Sequence, residues 1–267
     1  MTHLRAGRRR SGRHSVTTLV LFASILAPAL CAAQSTDPVN KDWTGYAGIG
    51  PIAFPKYTGG KGTETFLAPL LMFDYKETVY VDLVRAGVRL WSSADKKMAL
   101  GFAAEPRFGF KAGDGARLTG MATRRDSIEA GPSLEWETPY VSLNLAWFAD
   151  VTGASKGASL RASVYKQFVN TSGWDAGAYI SAERANAKVV NYYFGVPASE
   201  VTAARALYAP GAATQLSVGL SAAWKFTPRY SLLMGVQQAR LGSAAVNSPI
   251  VETRNAPVAY IGLGWNL

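Results

Sequence analysis

Five charged residues, Glu105, Arg107, Glu129, Glu135 and Arg161, could carry chemistry in the interior of this protein. Each falls on the polar parity of a segment that alternates apolar and polar side chains, so each points to the face opposite the apolar one. Two carboxylates on one face can work as acid and base. Glu129 and Glu135, however, are six positions apart, and an extended strand separates them by about 20 Å. That is far beyond the separation of a hydrolytic carboxylate pair. Opposed Arg and Glu side chains can instead pair and cross-link an interior, or line water as rings of charge.

Histidine and cysteine are confined to the front of the chain, at His3, His14 and Cys31. Beyond them there is no imidazole or thiol. This excludes Ser–His–Asp and Cys–His nucleophiles. It also excludes zinc, haem or copper held by His or Cys, and any disulfide. No cofactor or metal is expected, and the chain reads as something other than an enzyme.

The elements that must position the five charges begin after an export signal. Residues Met1–His14 carry Arg5, Arg8, Arg9, Arg10 and Arg13 and no acid; an apolar stretch follows to Leu30, then the small pair Ala32 and Ala33. Charge, short apolar core and small-residue site form a secretory signal peptide. The core is too short to span a bilayer, which takes about 20 residues. Cleavage is expected near Ala33–Gln34, with Ala32 as the rival site. Leu30 stands where a lipoprotein signal carries a small residue, so Cys31 does not read as a lipid-bearing cysteine. The expected organisation is a signal peptide over 1–33, a short periplasmic segment over 34–42 and a β-barrel over 43–267. Removing five arginines lowers the formal charge from +10 to 10 − 5 = +5. The remaining excess is scattered, which removes the main argument for nucleic-acid binding.

The last nine residues show the barrel pattern most clearly. Ala259, Ile261, Leu263, Trp265 and Leu267 alternate with Tyr260, Gly262, Gly264 and Asn266. Similar alternation runs through Met98–Phe110, Ile128–Trp136, Val141–Ala149, Leu160–Gln167, Trp174–Ser181 and Leu216–Trp224. Further strands are expected near Trp43–Ile52, Phe66–Tyr75, Val79–Leu90 and Tyr230–Leu241. Segments of about 9–11 residues suit tilted membrane strands. Short turns at Thr138–Pro139 and Thr227–Arg229 contrast with long polar links at Pro55–Thr65, Ala112–Asp126, Glu183–Ala213 and Gly242–Asn255, the habit of outer-membrane barrels. Aromatic residues gather near strand ends, as interfacial girdles do.

These are eleven candidate strands, whereas a one-chain bacterial barrel closes with an even number. Twelve is preferred, with an extra strand around Lys188–Gly195, and ten is the alternative. In Val79–Leu90 the apolar phase slips, and a bulge near Val84 would restore it. Ser199–Tyr208 reads as a short loop helix with Ser199 as its N-cap. The fold expected is an all-β, antiparallel transmembrane β-barrel.

Asn191–Val196 (Asn-Tyr-Tyr-Phe-Gly-Val), Arg205, Tyr208-Ala-Pro210 and Asn247–Val251 (Asn-Ser-Pro-Ile-Val) occur in that order, after Pro55-Lys-Tyr-Thr-Gly59. Together they make the chain resemble the MipA/OmpV family of outer-membrane proteins over essentially all of residues 34–267. Its last residue, Leu267, departs from the usual terminal aromatic, although Trp265 keeps one two positions earlier. The resemblance implies residence in the outer membrane, among lipid and lipopolysaccharide. It also implies one of two roles: a scaffold joining a murein lytic transglycosylase to a penicillin-binding protein, or a narrow porin-like channel. It brings no catalytic residues. Tyr192, Tyr193, Gly195, Tyr208, Pro210, Ser248 and Pro249 read as loop anchors across the barrel mouth. A scaffold requires a lumen blocked by its own side chains, whereas a channel requires the same charges to line water.

Overall fold

The computed structural model describes residues 42–267. The expected signal peptide and the segment Gln34–Lys41 lie outside the described residues. Twelve strands close into one antiparallel barrel: β1 (Trp43–Pro55), β2 (Thr63–Tyr75), β3 (Val79–Asp82), β4 (Arg85–Ser92), β5 (Met98–Arg107), β6 (Ser127–Glu137), β7 (Ser142–Asp150), β8 (Ala158–Asn170), β9 (Trp174–Ala185), β10 (Ala213–Lys225), β11 (Tyr230–Arg240) and β12 (Asn255–Asn266). Every strand pairs with its sequence neighbours, and β12 closes on β1 through Tyr46↔Asn266 to Ala53↔Ala259. Closure removes the free sheet edge that a terminal strand would otherwise present.

The alternation decides which face meets lipid. Leu216, Val218, Leu220 and Trp224 of β10, and Ile261, Leu263 and Trp265 of β12, point outward and are exposed. The opposite parity is small or polar and faces the lumen. There, the ring ends of Tyr80, Tyr165, Tyr179 and Tyr260 lie over Gly87, Gly177, Gly219 and Gly235, where a Cβ would come within 2.1–2.4 Å of the tyrosine side chain. Aromatic girdles ring the short-turn end: Trp174 stacks on Trp224 at 6.0 Å, Tyr230 meets Trp265 at 5.9 Å, and Trp43 meets Tyr75 at 4.5 Å.

Three local expectations are corrected. Val79–Leu90 is a hairpin rather than one bulged strand: Asp82 pairs with Arg85 across a two-residue turn, with Leu83 at φ 52°. The irregularity of register lies lower, between Arg89 and Trp91. This split supplies the twelfth strand. Lys188–Gly195 is therefore not a strand but belongs to an α-helix, Ala187–Phe194, capped by the Asn186 side chain, which accepts the Val189 N–H. Its buried residues Val189, Val190 and Tyr193 recur at helical spacing. Within Ser199–Tyr208 only one 3-10 turn forms, Ala198–Glu200, with Pro197 rather than Ser199 at its N-cap. The chain then doubles back through a Thr202–Arg205 bridge.

Above the short β3–β4 hairpin no ladder joins β2 to β5; there Phe108, just after β5, lies 6.4 Å from the Phe54 ring, which meets Phe66 of β2 at 5.3 Å. The β2–β3 ladder stops at Met72↔Asp82, with one further bond from Leu83 N–H to the Leu71 carbonyl at 2.6 Å. The β4–β5 ladder stops at Ala86↔Ala104. Thus Thr63–Leu70 of β2 and Glu105–Arg107 of β5 each have a ladder on one side only. Each of these stretches holds a proline, Pro69 and Pro106, a residue tolerated at sheet edges because it has no N–H to pair.

Candidate functional site: the lumen and its loop cap

The five sequence-selected charges project into the lumen, where their strands bring four of them into one network. Arg107 donates to both oxygens of Glu129, at 2.6 and 2.9 Å, and also to Glu183. Arg161 donates to Glu183 at 2.8 Å and also to Glu105. Glu105 in turn accepts from Arg85 Nε at 3.0 Å. Three carboxylates therefore alternate with three guanidiniums, and the layer is neutral. Phe148 is fully buried between the guanidiniums of Arg85 and Arg161, at 5.4 and 5.6 Å from its ring centre. Glu135 stands apart, lower in the barrel, where Arg89 Nε donates to it at 2.7 Å and Arg89 also pairs with Asp74.

Arg85 and Glu183 are partners the sequence reading did not select. Glu183 lies on the inward parity of β9 with Tyr179 and Ser181, but the polar composition around it reads as a loop. Arg85 is hidden by the phase slip. Nearer the short turns, Leu70, Ala223 and Leu233 form a buried apolar cluster with Tyr46, Met72, Leu83 and Tyr260 packed on it. Below it, Lys225 pairs with Asp175 at 2.8 Å, and Tyr46 donates to the same carboxylate.

The opposite mouth is covered by packed loops. Tyr57, Phe110, Leu118, Met121, Val196, Leu241, Ile250 and Val251 form one buried cluster drawn from four connections. Tyr57 donates to the Ile250 carbonyl at 2.9 Å; burial, then the nearby Glu252 charge, push its phenol up to about 12. The anchor residues of the sequence reading fall in this cap. Tyr193 is buried and shares a hydrogen bond with Ser127 at 3.0 Å. The Tyr192 carbonyl accepts from Arg124 at 2.8 Å, and its hydroxyl accepts the Arg125 N–H. Gly195 ends the helix, and a Cβ there would lie 2.3 Å from the Asn191 carbonyl. Tyr208 donates to the Ala244 carbonyl at 2.9 Å. Ser248 donates to Phe194, the Pro249 carbonyl accepts from Arg117, and Pro210 is buried.

A buried ion pair locks the cap. Arg124 donates to both Glu200 oxygens, at 3.0 and 2.7 Å, and Glu200 also accepts the Ala122 N–H at 3.0 Å. Arg205 ties the Glu200 carbonyl to the carbonyls of Arg117 and Thr119. Burial pushes the Glu200 carboxyl up. The bonds from Arg124 and Ala122 and the charges of Arg124 and Arg205 outweigh it and hold the group below its ordinary value.

The chain is similar to two outer membrane proteins of Vibrio species. The chain is 27% identical over 148 residues to the outer membrane protein Omp26La of Vibrio anguillarum, covering 54% of this chain and 57% of that protein. It is 24% identical over 148 residues to the outer membrane protein OmpV of Vibrio cholerae serotype O1, with the same shares. The matched stretch thus spans little more than half the length of these relatives. Among solved structures, the NanC porin superposes with a TM-score of 0.41 at 11% identity, over 84% of this chain and 100% of that one. The N-terminal β-barrel domain of Pseudomonas aeruginosa OprF gives 0.30 at 13%, over 64% and 98%. Residues 47–267 match the family described as MltA-interacting protein MipA, and the chain belongs to that family of outer-membrane β-barrel proteins.

Proposed function

We propose that this protein is an interaction scaffold of the outer membrane, not a diffusion channel or an enzyme. The observation that carries the reading is the obstruction of the lumen. The alternating Arg–Glu layer crosses it, with an apolar cluster below and a hydrogen-bonded loop cap above. A barrel of this size is close to the range that interior side chains can fill. The long-loop end faces outward and the short-turn end the periplasm, following the usual topology of such barrels. The partners proposed are murein-remodelling enzymes, a lytic transglycosylase and a penicillin-binding protein, in line with the interaction stated in the family's description. They would be reached through the short turns and Gln34–Asp42, while the outer wall meets lipid and lipopolysaccharide.

Two measurements test this reading. The refolded chain, residues 34–267, should be silent in a planar bilayer once heat-dependent gel mobility shows that it is folded. Discrete conductance steps would favour a narrow porin-like channel, lined by Arg107 and Arg161. A pull-down from solubilised envelope should recover a murein enzyme; failure to do so counts against the scaffold.

A further inference from the structure

We infer that Arg184 and Arg240 hold a phosphate of one lipopolysaccharide molecule on the outer wall of the barrel, in the β9–β11 sector. The inference rests on the orientation proposed above, long loops outward, and not on the scaffold role.

Parity sends both arginines to the lipid face, where both are exposed. Each is the last outward residue of its strand at the long-loop end. Each also lies ten positions from an aromatic residue of the short-turn girdle, Trp174 in β9 and Tyr230 in β11, and Thr214 of β10 lies ten positions from Trp224. Ten positions of strand span about 33 Å, or about 25 Å along the membrane normal at the usual tilt. That is the height of the apolar band of an outer-membrane barrel. The guanidiniums therefore stand at the outer-leaflet boundary, level with headgroups rather than acyl chains.

The register brings them together. Arg184 opposes Thr214 and donates to its hydroxyl at 3.1 Å. Arg240 opposes Leu216, the next outward residue of β10, and on its other side Asn255. Two strand spacings and this diagonal offset separate the arginine backbones by about 10–12 Å, a span that two such long side chains can close around one small anion. Among the described residues, neither arginine has a carboxylate partner. The corresponding outward positions elsewhere on the rim are uncharged: Pro55, Thr63, Pro106, Ile128, Ala149 and Ala158. Two neighbouring cations without an acid repel, and an anion between them relieves the repulsion. A guanidinium meets phosphate with paired hydrogen bonds, and Thr214 and Asn255 add neutral donors.

The wall below offers a seat for an acyl chain. A groove of about 430 Å³ is lined by Ala162 and Ala182 between the larger Leu134, Leu145, Ile180 and Leu216. Ala182 and Leu216 oppose each other across the ladder, directly beneath Arg184 and Thr214, so the groove runs up to the arginines. A basic cluster at a membrane boundary recognises anionic head groups, and the anionic lipid of the outer leaflet is lipopolysaccharide.

The test uses the full-length chain, exported in a Gram-negative host, extracted in nonionic detergent and stripped of lipid. Native mass spectrometry counts the lipid that rebinds. The probes are lipopolysaccharide, the same material with its phosphates removed, and phosphatidylglycerol. One lipopolysaccharide should bind, and Arg184→Ala with Arg240→Ala should weaken it about tenfold or more while heat-dependent gel mobility stays unchanged. Lys56→Ala with Lys156→Ala, at two exposed loop cations, should leave binding as it is. If the double arginine variant does not fold, Ala182→Trp, which fills the groove, should weaken binding in its place. Equal binding of the dephosphorylated material, or unchanged binding in the arginine variant, would overturn the site. Preference for phosphatidylglycerol would overturn the choice of lipopolysaccharide. An impermeant maleimide should label Lys111→Cys in intact cells; labelling only after permeabilisation would overturn the orientation and this inference with it, while the scaffold role is decided separately by the pull-down.

Discussion

Replacing Glu183 with alanine is the sharpest test of the lumen layer. This carboxylate is 8% exposed and bridges Arg107 and Arg161, whose side chains are 22% and 20% exposed. A hydrogen bond to a charged group contributes about 1.5–3 kcal/mol, so losing two sets an upper bound of about 3–6 kcal/mol. Neither arginine is orphaned, however. Arg107 keeps both oxygens of Glu129, and Arg161 keeps Glu105. Both guanidiniums also have some access to lumen water, which lowers the expected loss to about 2–4 kcal/mol. Glu105→Ala should cost more, because it removes the bridge between Arg85 and Arg161 and leaves the Asn144 amide at 3.3 Å as the one remaining hydrogen bond of Arg85. Urea unfolding of the detergent-solubilised barrel, followed by tryptophan fluorescence and by gel mobility, reads both values. A Glu183→Ala barrel within about 0.5 kcal/mol of wild type, or a Glu105→Ala barrel less affected than it, would refute the claim that this layer holds the interior.

Other expectations follow from the wall and the cap. Leu220→Arg puts a charge on the lipid face at mid-strand and should cost about 2–4 kcal/mol in a bilayer refolding assay; no loss there would mean that this face does not meet lipid. Gly235→Val drives a side chain into the Tyr260 ring, 2.4 Å from the position of a Cβ, and should destabilise by about 1–3 kcal/mol; Tyr260→Ala in the same chain should recover part of that loss. The Glu200 carboxyl titrates below its ordinary value in the folded protein, so its contribution is full above the unfolded value of about 4.3 and is lost as pH falls through the lower folded value. At pH 7, Glu200→Gln should therefore speed hydrogen exchange in residues 112–126 and 197–210 relative to wild type. At pH 3 the difference should shrink, and a difference that persists undiminished would contradict the role of the ionised group.

The strand faces were legible because lipid and lumen impose opposite demands on neighbouring positions. Leu216 to Trp224 and Ala259 to Trp265 alternate without error, and both stand in the wall with that parity. The hairpin at Asp82–Arg85 was illegible by turn chemistry. It uses Leu83 at φ 52° rather than glycine or asparagine, a conformation that costs an ordinary residue about 1–2 kcal/mol. What holds it is tertiary: the Leu83 side chain packs on the Leu70–Leu233 cluster, and its N–H reaches the Leu71 carbonyl. The only local trace was a slip of apolar phase, and a bulge explains such a slip as well as a turn does.

The same distinction separates the lumen charges from their partners. Parity places Glu105, Arg107, Glu129 and Arg161 inside, but it does not say which pair with which, because the two contacts that join the neighbouring-strand pairs into one layer cross to strands several places away. Arg107 meets Glu183 over 76 positions, and Arg161 meets Glu105 over 56. Those separations follow from the barrel's closure and stagger, which no short segment encodes. A blocked lumen and an open one thus have the same strand-by-strand pattern. The difference lies in whether inward charges of opposite sign arrive at the same height. Here Arg85, Arg107 and Arg161 meet Glu105, Glu129 and Glu183 in one layer.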